Sequence, residues 1–261
     1  MGSEMCIRDR SSLMGTIAGL FSPEQTRFFA RGQKDLLLRE LKSGMRISGF
    51  FVNIIFVVLL VVGEDFIRLW QPSQDARMIN ILMQLTMLGF FLSGVATTLQ
   101  NVPLLVNKLR PYSLGWLVCG ATSFVLMILG VLLFPSSGIY MVAAIPQIVG
   151  FIANLTFVPL YASRCLNLPL WVFYPIYLQY IVSTVVSTIL CYILYYFLMP
   201  KITSWALLFI SCAIYAAITI LTDITLLLGS RERSIITDRL ITKIKSCLLY
   251  TSDAADDMQC V

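Results

Sequence analysis

Six stretches of this 261-residue chain are apolar over about the 20 residues that a helix needs to cross bilayer hydrocarbon: 46–63, 78–99, 113–134, 139–161, 172–199 and 204–228. The joints between them are short and marked by Pro, Gly or charge: EDFIRLWQPSQDAR, NKLRP, PSSG, RCLNLP and PKITS. Residues 11–21 (SSLMGTIAGLF) read as the last part of a seventh span. Composition agrees: 58% of residues are hydrophobic and 13% charged, too few charges for the surface of a soluble domain of this length. The expected fold is all-α, a polytopic membrane helix bundle of six full transmembrane helices plus one partial.

Lysines and arginines set the expected orientation, because cytoplasmic loops carry an excess of them. If each full segment crosses once, one side receives Arg27, Arg31, Lys34, Arg39, Lys42, Arg46, Lys108, Arg110, Arg164, Arg231, Arg233, Arg239, Lys243 and Lys245. The other side receives Arg68, Arg77 and Lys201. That asymmetry predicts a multi-pass protein of the cell (inner, cytoplasmic) membrane with its C-terminus in the cytoplasm. Two basic amphipathic stretches fall on the cytoplasmic side. Residues 33–45 (QKDLLLRELKSGM) read as an intracellular connector. Residues 230–246 (SRERSIITDRLITKIKS) read either as a helix lying on the anionic leaflet or as a solvated tail.

The two ends read differently from the rest. Met5-Cys6-Ile7-Arg8-Asp9 can be encoded by a DNA segment that, extended by the two bases "ag", encodes Cys-Leu-Leu-Tyr-Thr on its opposite strand one frame over, the residues from Cys247 to Thr251. Residues 1–10 and 247–261 are therefore expected to be translated sequencing adapter, set aside from the fold as a scar would be. The remaining domains are a transmembrane part, 11–229, and the basic tail, 230–246. Setting the ends aside moves the formal charge from +5 to +8: Arg8 and Arg10 cancel Glu4 and Asp9, while Asp253, Asp256 and Asp257 are lost. On this reading the protein is cut at its N-terminus.

The residue inventory argues against several chemistries. The chain has no histidine, which removes the commonest general base and the commonest transition-metal ligand. Cys119, Cys165, Cys191 and Cys212 are scattered singly and read as small buried hydrophobes. No catalytic residues, metal or cofactor are expected, and nothing suggests nucleic acid as a partner.

Three motifs carry a family resemblance. FSPEQTRFFARGQKDLLLRELKSGMRIS is a Pro followed by a basic amphipathic entry to a helix. GEDFIRLWQP is similar to a "G-x-x-F-I-x-L-W" helix exit on the outer face, with Gln71-Pro72 where the family has Gly. TTLQNVPLLVNKLRPYS places Asn-Lys in a short inner loop. In this order they resemble the C-terminal half of an oligosaccharide flippase (O-antigen, capsule or exopolysaccharide) of the multidrug/oligosaccharidyl-lipid/polysaccharide exporter superfamily. The resemblance implies about fourteen helices in two lobes that rock around a central cavity. It further implies a polyprenyl-pyrophosphate-linked oligosaccharide as substrate, with membrane lipids, a polysaccharide polymerase and glycosyltransferases as partners. The fragment alone, lacking the first lobe, is not expected to transport.

Such a carrier needs a polar or cationic path for a sugar-pyrophosphate head, because an unpaired phosphate in a low-dielectric medium is prohibitively costly. Arg46, Lys108 and Arg110 lie near the expected inner mouth, where they bind the pyrophosphate or serve topology alone. The embedded amides Asn53, Gln84, Asn154 and Gln179 hydrogen-bond sugar hydroxyls or hold helices together. The substrate-binding candidates are thus Arg46, Gln84, Lys108, Arg110 and Gln179. Asp223 is the one acid within an apolar run. It is either a coupling-ion site or an acid near its helix end paired with Arg231 or Arg233. Glu64, Asp65 and Arg68 read as an interfacial charge cluster with Trp70 as a belt anchor. Tyr174, Tyr177, Tyr180, Tyr192, Tyr195 and Tyr196 stack on sugars or pack, and Pro146, Pro159 and Pro175 are expected to kink their helices. The alternatives to the flippase are a cation-coupled drug or metabolite antiporter of the same superfamily and, more remotely, a membrane glycosyl- or acyltransferase.

Overall fold

All six apolar segments fold as helices long enough to cross a bilayer, in a computed structural model that describes residues 22–198 and 202–234. The helices are α1 (Ser22–Ala30), α2 (Lys34–Trp70), α3 (Ala76–Gln100), α4 (Val102–Leu105), α5 (Leu109–Leu133), α6 (Gly138–Leu155), α7 (Phe157–Cys165), α8 (Tyr174–Leu198) and α9 (Trp205–Leu226). A single 3-10 turn, Pro135–Ser137, precedes α6, and no strand occurs among the described residues. The polytopic all-α bundle is therefore what this sequence forms. The partial span at 11–21, the tail from 235 to 246 and the two ends read as adapter lie outside the described residues.

Helix α2 is the organising element: α3, α8 and α9 all pack on it, α3 packs in turn on α6, and α6 on α5. At 37 residues α2 is about 55 Å long, well beyond the ~30 Å hydrocarbon core. The stretch read as an amphipathic connector is, from Lys34 on, the first part of this helix. No Pro interrupts 34–70, so the helix runs on unbroken, and Leu37, Glu40, Leu41, Ser43 and Met45 are buried against neighbours rather than solvated. Helix α5 is the opposite case. None of its residues is buried, and most of its apolar side chains away from the α6 contact are exposed, as suits a helix against hydrocarbon.

Close approach of α2 and α3 depends on small residues. A Cβ added at Gly94 would stand 2.7 Å from the Val52 side chain, and one at Gly49 would stand 3.0 Å from Val95 and 3.2 Å from Tyr180. The core around this contact joins Leu41, Met45, Phe50, Leu92, Val95, Leu99, Tyr177 and Tyr180.

The turns at the basic end share one device. Gly32, Asn107 and Asn167 each take positive φ (67°, 54° and 53°) directly after a helix. The residue after each bonds back five positions: Gln33 N–H to Phe28 O, Lys108 N–H to Pro103 O, and Leu168 N–H to Ser163 O, at 3.0, 2.8 and 2.9 Å. This is a Schellman cap, which favours Gly or Asn because both enter the left-handed region at low cost. The Asn-Lys of NKLRP is therefore a helix stop.

Of the three prolines expected to kink helices, only Pro146 lies within one, in α6. Pro159 is the third residue of α7, after a break at Thr156, and Pro175 is the second residue of α8. Both occupy a first turn, where Pro is tolerated without breaking the helix. At the Thr156 break the ladder loses donors, since Pro159 has none for Leu155 O. Tyrosines of α8 serve that region instead: Tyr174 OH donates to Leu155 O at 3.1 Å and Tyr177 OH to Asn154 O at 3.0 Å.

Candidate functional site

Two of the polar assemblies on α2 bear on function, one inside the bundle and one at its basic end. The inner one begins with α9, whose Ser211, Tyr215, Thr219 and Asp223 recur every four residues and are all buried. Facing them on α8 are Tyr180, Ser183, Thr184, Ser187 and Cys191, also all buried. Spacings of three and four put each set on one helix face. The seam between α8 and α9 is therefore polar, and α2 closes it with Asn53.

Asp223, 0% exposed, is the centre of this seam. Its Oδ1 accepts from Asn53 Nδ2 at 2.7 Å and from Ser183 Oγ at 2.5 Å. The Thr184 hydroxyl is 2.7 Å from Asn53 Oδ1 and 2.9 Å from the Tyr180 carbonyl, so three helices share one network. Ser187 and Thr222 pair their hydroxyls one turn away. Asp223 Oδ2 is buried without a hydrogen-bond partner. The expected alternative, in which Asp223 pairs with Arg231 or Arg233, does not form. The chain turns away from α9 after Leu226 and delivers Arg231 to Glu40 at 2.9 Å, while Arg233 Nε donates to Leu228 O at 3.2 Å. What remains is a membrane-buried carboxyl with one satisfied oxygen and one open one, a group that can hold a small cation or a proton only where protein excludes lipid.

The second assembly gathers charge where α2 begins. Arg46 Nη1 lies 3.4 Å from both carboxylate oxygens of Glu232, and Arg46 Nη2 lies 3.4 Å from Gln179 Oε1. Ser43 Oγ donates to Glu232 Oε1 at 2.6 Å. Burial alone would push the Glu232 carboxyl up. The Ser43 hydroxyl, the residue's own backbone N–H and Arg46 outweigh it and hold the carboxyl below its ordinary value.

Of the substrate-binding candidates, the structure brings Arg46 and Gln179 together and places Lys108 and Arg110 exposed at the α4–α5 turn. Gln84 is half-buried on α3 and hydrogen-bonds to none of them. The tyrosines mostly hold the fold. Hydroxyls of Tyr174, Tyr177, Tyr180 and Tyr192 go to the carbonyls of Leu155, Asn154, Phe91 and Leu60, and Tyr195 donates to Asp65 Oδ2 at 2.8 Å. Tyr196 is 82% exposed. Asn154 Oδ1 accepts from Gln100 Nε2 at 3.2 Å, a bond between helices. At the far end Glu64 and Asp65 both engage Arg68, at 2.8 and 3.4 Å, as the interfacial cluster requires. Sequence reading missed Ser43, Ser183, Thr184 and Glu232. The four-residue polar stripe of α9 was the available signal for the seam; nothing local marks Glu232, because its partners lie nearly 190 residues away.

These features define a multi-pass helical membrane protein with a polar interhelical seam and charged clusters at both ends of its central helix. The chain is similar to "Uncharacterized membrane protein EpsK" of Bacillus subtilis (strain 168), 25% identical over 162 residues. The match takes in 59% of this chain and 30% of that protein, so the chain spans about a third of the length of the curated relative it matches. No family model matches the chain, and no solved structure matches it significantly.

Proposed function

We propose that this chain is the C-terminal half of a transporter that flips polyprenyl-pyrophosphate-linked oligosaccharide across the cell membrane for surface polysaccharide assembly. The observation that carries the reading is where the three family-like motifs fall. FSPEQTRFFARGQKDLLLRELKSGMRIS becomes α1 and the entry to α2, GEDFIRLWQP ends α2 at the opposite side, and TTLQNVPLLVNKLRPYS makes the α3–α4–α5 turn. The basic end faces the cytoplasm, where a phosphate-bearing head arrives. Arg46, with Gln179 beside it and Lys108 and Arg110 further along, receives that head by charge and hydrogen bonding. Gln84 is the candidate contact deeper in. No step makes or breaks a covalent bond, so the protein acts as a carrier rather than an enzyme, with lipids, a polymerase and glycosyltransferases around it.

Asp223 favours a role in energy coupling within this reading, and it is also the feature that best supports the second one, a cation-coupled antiporter of drugs or metabolites. The test is complementation. The full-length gene is placed in a strain lacking its flippase, and surface polysaccharide and cytoplasmic-face lipid-linked units are measured. Restored polysaccharide supports the proposal. Equal export of lipid-linked units with and without the gene would overturn it.

A further inference from the structure

Arg46 is poorly used by its partners. Its three side-chain hydrogen bonds among the described residues all stand at 3.4 Å, while charge-assisted bonds of this kind run at about 2.7–2.9 Å. A single nitrogen, Nη1, straddles both oxygens of Glu232, so the parallel two-bond fork that suits a guanidinium is not formed. Arg46 Nε is buried with no partner, although the side chain as a whole is 25% exposed. The guanidinium thus holds donors in reserve and stays reachable.

Glu232, by contrast, is fitted to its place. Leu227 and Leu228 are buried in the core, and both N–H groups bond to Asp223 O at 2.9 Å, fixing where the chain leaves α9. Gly229 follows, and a Cβ there would stand 2.6 Å from Glu232 Oε2 and 3.3 Å from Arg46 Nη1. The carboxylate therefore closes over the glycine and is 3% exposed, held chiefly by Ser43. Beside it Arg231 reaches Glu40 at 2.9 Å. Helix α2 thus offers an acid and a base to the segment after α9, which answers with a base and an acid.

We propose that Ser43 and Arg46 form an oxyanion site in which Glu232 is the resident occupant, and that a phosphate group entering from the basic end displaces it and releases the segment from α2. A phosphate brings more charge than a carboxylate and three acceptor oxygens, enough to take Nε and an Nη in parallel while accepting from Ser43. A displaced Glu232 cannot stay buried, because an acid stripped of its base in that position is strongly unfavourable. Its departure removes one of the two ion pairs that tie the segment to α2 among the described residues and leaves the Arg231–Glu40 pair, in which Arg231 is half exposed. Binding of an anion is thereby converted into movement of the C-terminal segment. The identity of the phosphate carrier rests on the flippase reading; the exchange of anions at Arg46 does not.

The test titrates inorganic pyrophosphate into the purified full-length protein in lipid nanodiscs, by calorimetry, against a sodium chloride blank of matched ionic strength. Glu232→Gln removes the competing charge and is expected to bind pyrophosphate about tenfold more tightly than the parent, a shift readily resolved as an affinity change. Arg46→Gln is expected to abolish binding. Ser43→Ala weakens the hold on Glu232 without touching Arg46 and also removes a phosphate donor, so it reports the seat by a different route: a probe on the C-terminal segment becomes mobile without ligand. The exchanged pair Arg46→Glu with Glu232→Arg keeps the ion pair and the fold, and is expected not to bind. Pyrophosphate affinity unchanged in Glu232→Gln, with the protein folded, overturns the proposal; so does tight binding by the exchanged pair. If Glu232→Gln does not fold, an immobile segment in Ser43→Ala overturns it instead. Export in the complementation strain is scored separately: normal export with unchanged affinity in Glu232→Gln sinks only the exchange, and tighter binding without export sinks only the flippase.

Discussion

Asn53 and Asp223 meet at 2.7 Å across 170 residues of sequence, inside a bundle where neither side chain reaches solvent. The bond ties the central helix to the last one, and Ser183 joins it from α8. Asn53→Ala takes away a donor to Asp223 and the acceptor facing Thr184. The expected cost is about 0.6 kcal/mol for an average interhelical hydrogen bond in a membrane and up to about 1.7 kcal/mol for the strongest, and more if the site stays empty. Ser183→Ala is expected to cost less, because Asn53 still serves the same oxygen. Reversible unfolding in detergent mixtures measures both; an unchanged midpoint for Asn53→Ala would show that the bond contributes nothing.

Asp223→Asn separates structure from coupling. The amide keeps the size of the carboxyl and an oxygen able to accept from Asn53 and Ser183, so the unfolding midpoint is expected to move by less than about 1 kcal/mol. If Asp223 carries the coupling ion, export in the complementation strain falls at least about tenfold all the same, because the exchangeable charge is gone. Normal export by a folded Asp223→Asn protein would reduce Asp223 to a helix clamp.

The spans and their order could be read from the sequence because length and hydropathy respond to bilayer thickness alone. The interior could not be read so fully. Asp223 stands out in ITILTDITLLLG as a lone acid, but its partners are neutral residues on two other helices, and pairing of distant helices leaves no local trace. Charge proximity along the chain pointed instead to Arg231 and Arg233, which the turn after Leu226 carries elsewhere. The tyrosines left two readings open, stacking on sugars or packing, and the structure shows most of them holding the fold. A hydroxyl that repairs the broken ladder at Thr156 looks, in sequence, the same as one awaiting a sugar.

Gly94→Val tests the α2–α3 contact. Its Cβ would stand 2.7 Å from Val52, on a β-branched side chain with little room to turn. The helices must separate, and the expected loss is about 1–3 kcal/mol, as for overpacking generally. Unfolding in detergent mixtures measures it. Pairing with Val52→Ala is expected to recover part of that loss, and no recovery would mean that the contact is not the cause.

Topology is open to direct labelling. With every cysteine of the protein replaced by Ala, Cys119, Cys165, Cys191 and Cys212 among them, single cysteines at Lys108, Arg110 and Arg77 report the two faces. A membrane-impermeant maleimide added to whole cells is expected to label position 77 and to reach 108 and 110 only after lysis. Labelling of 108 in intact cells would invert the orientation and put Arg46 on the wrong side to receive a cytoplasmic phosphate.

Glu232 gives the segment after α9 a defined pH response. Its carboxyl in the folded protein sits below the ordinary value of 4.5, so the charged form is favoured by the seat. The stabilisation is fully present above pH 4.5 and is lost as pH falls through the lower folded value, where the proton ends the attraction to Arg46 and the Ser43 hydroxyl loses a charged acceptor. Segment mobility, followed with a spin label placed on it in an Arg231→Gln background that removes the neighbouring pair with Glu40, is expected to be flat from neutral pH down to about 4.5 and to rise below that. Glu232→Gln removes the titrating group and is expected to flatten the profile. A rise that persists in that variant would assign the transition to another acid.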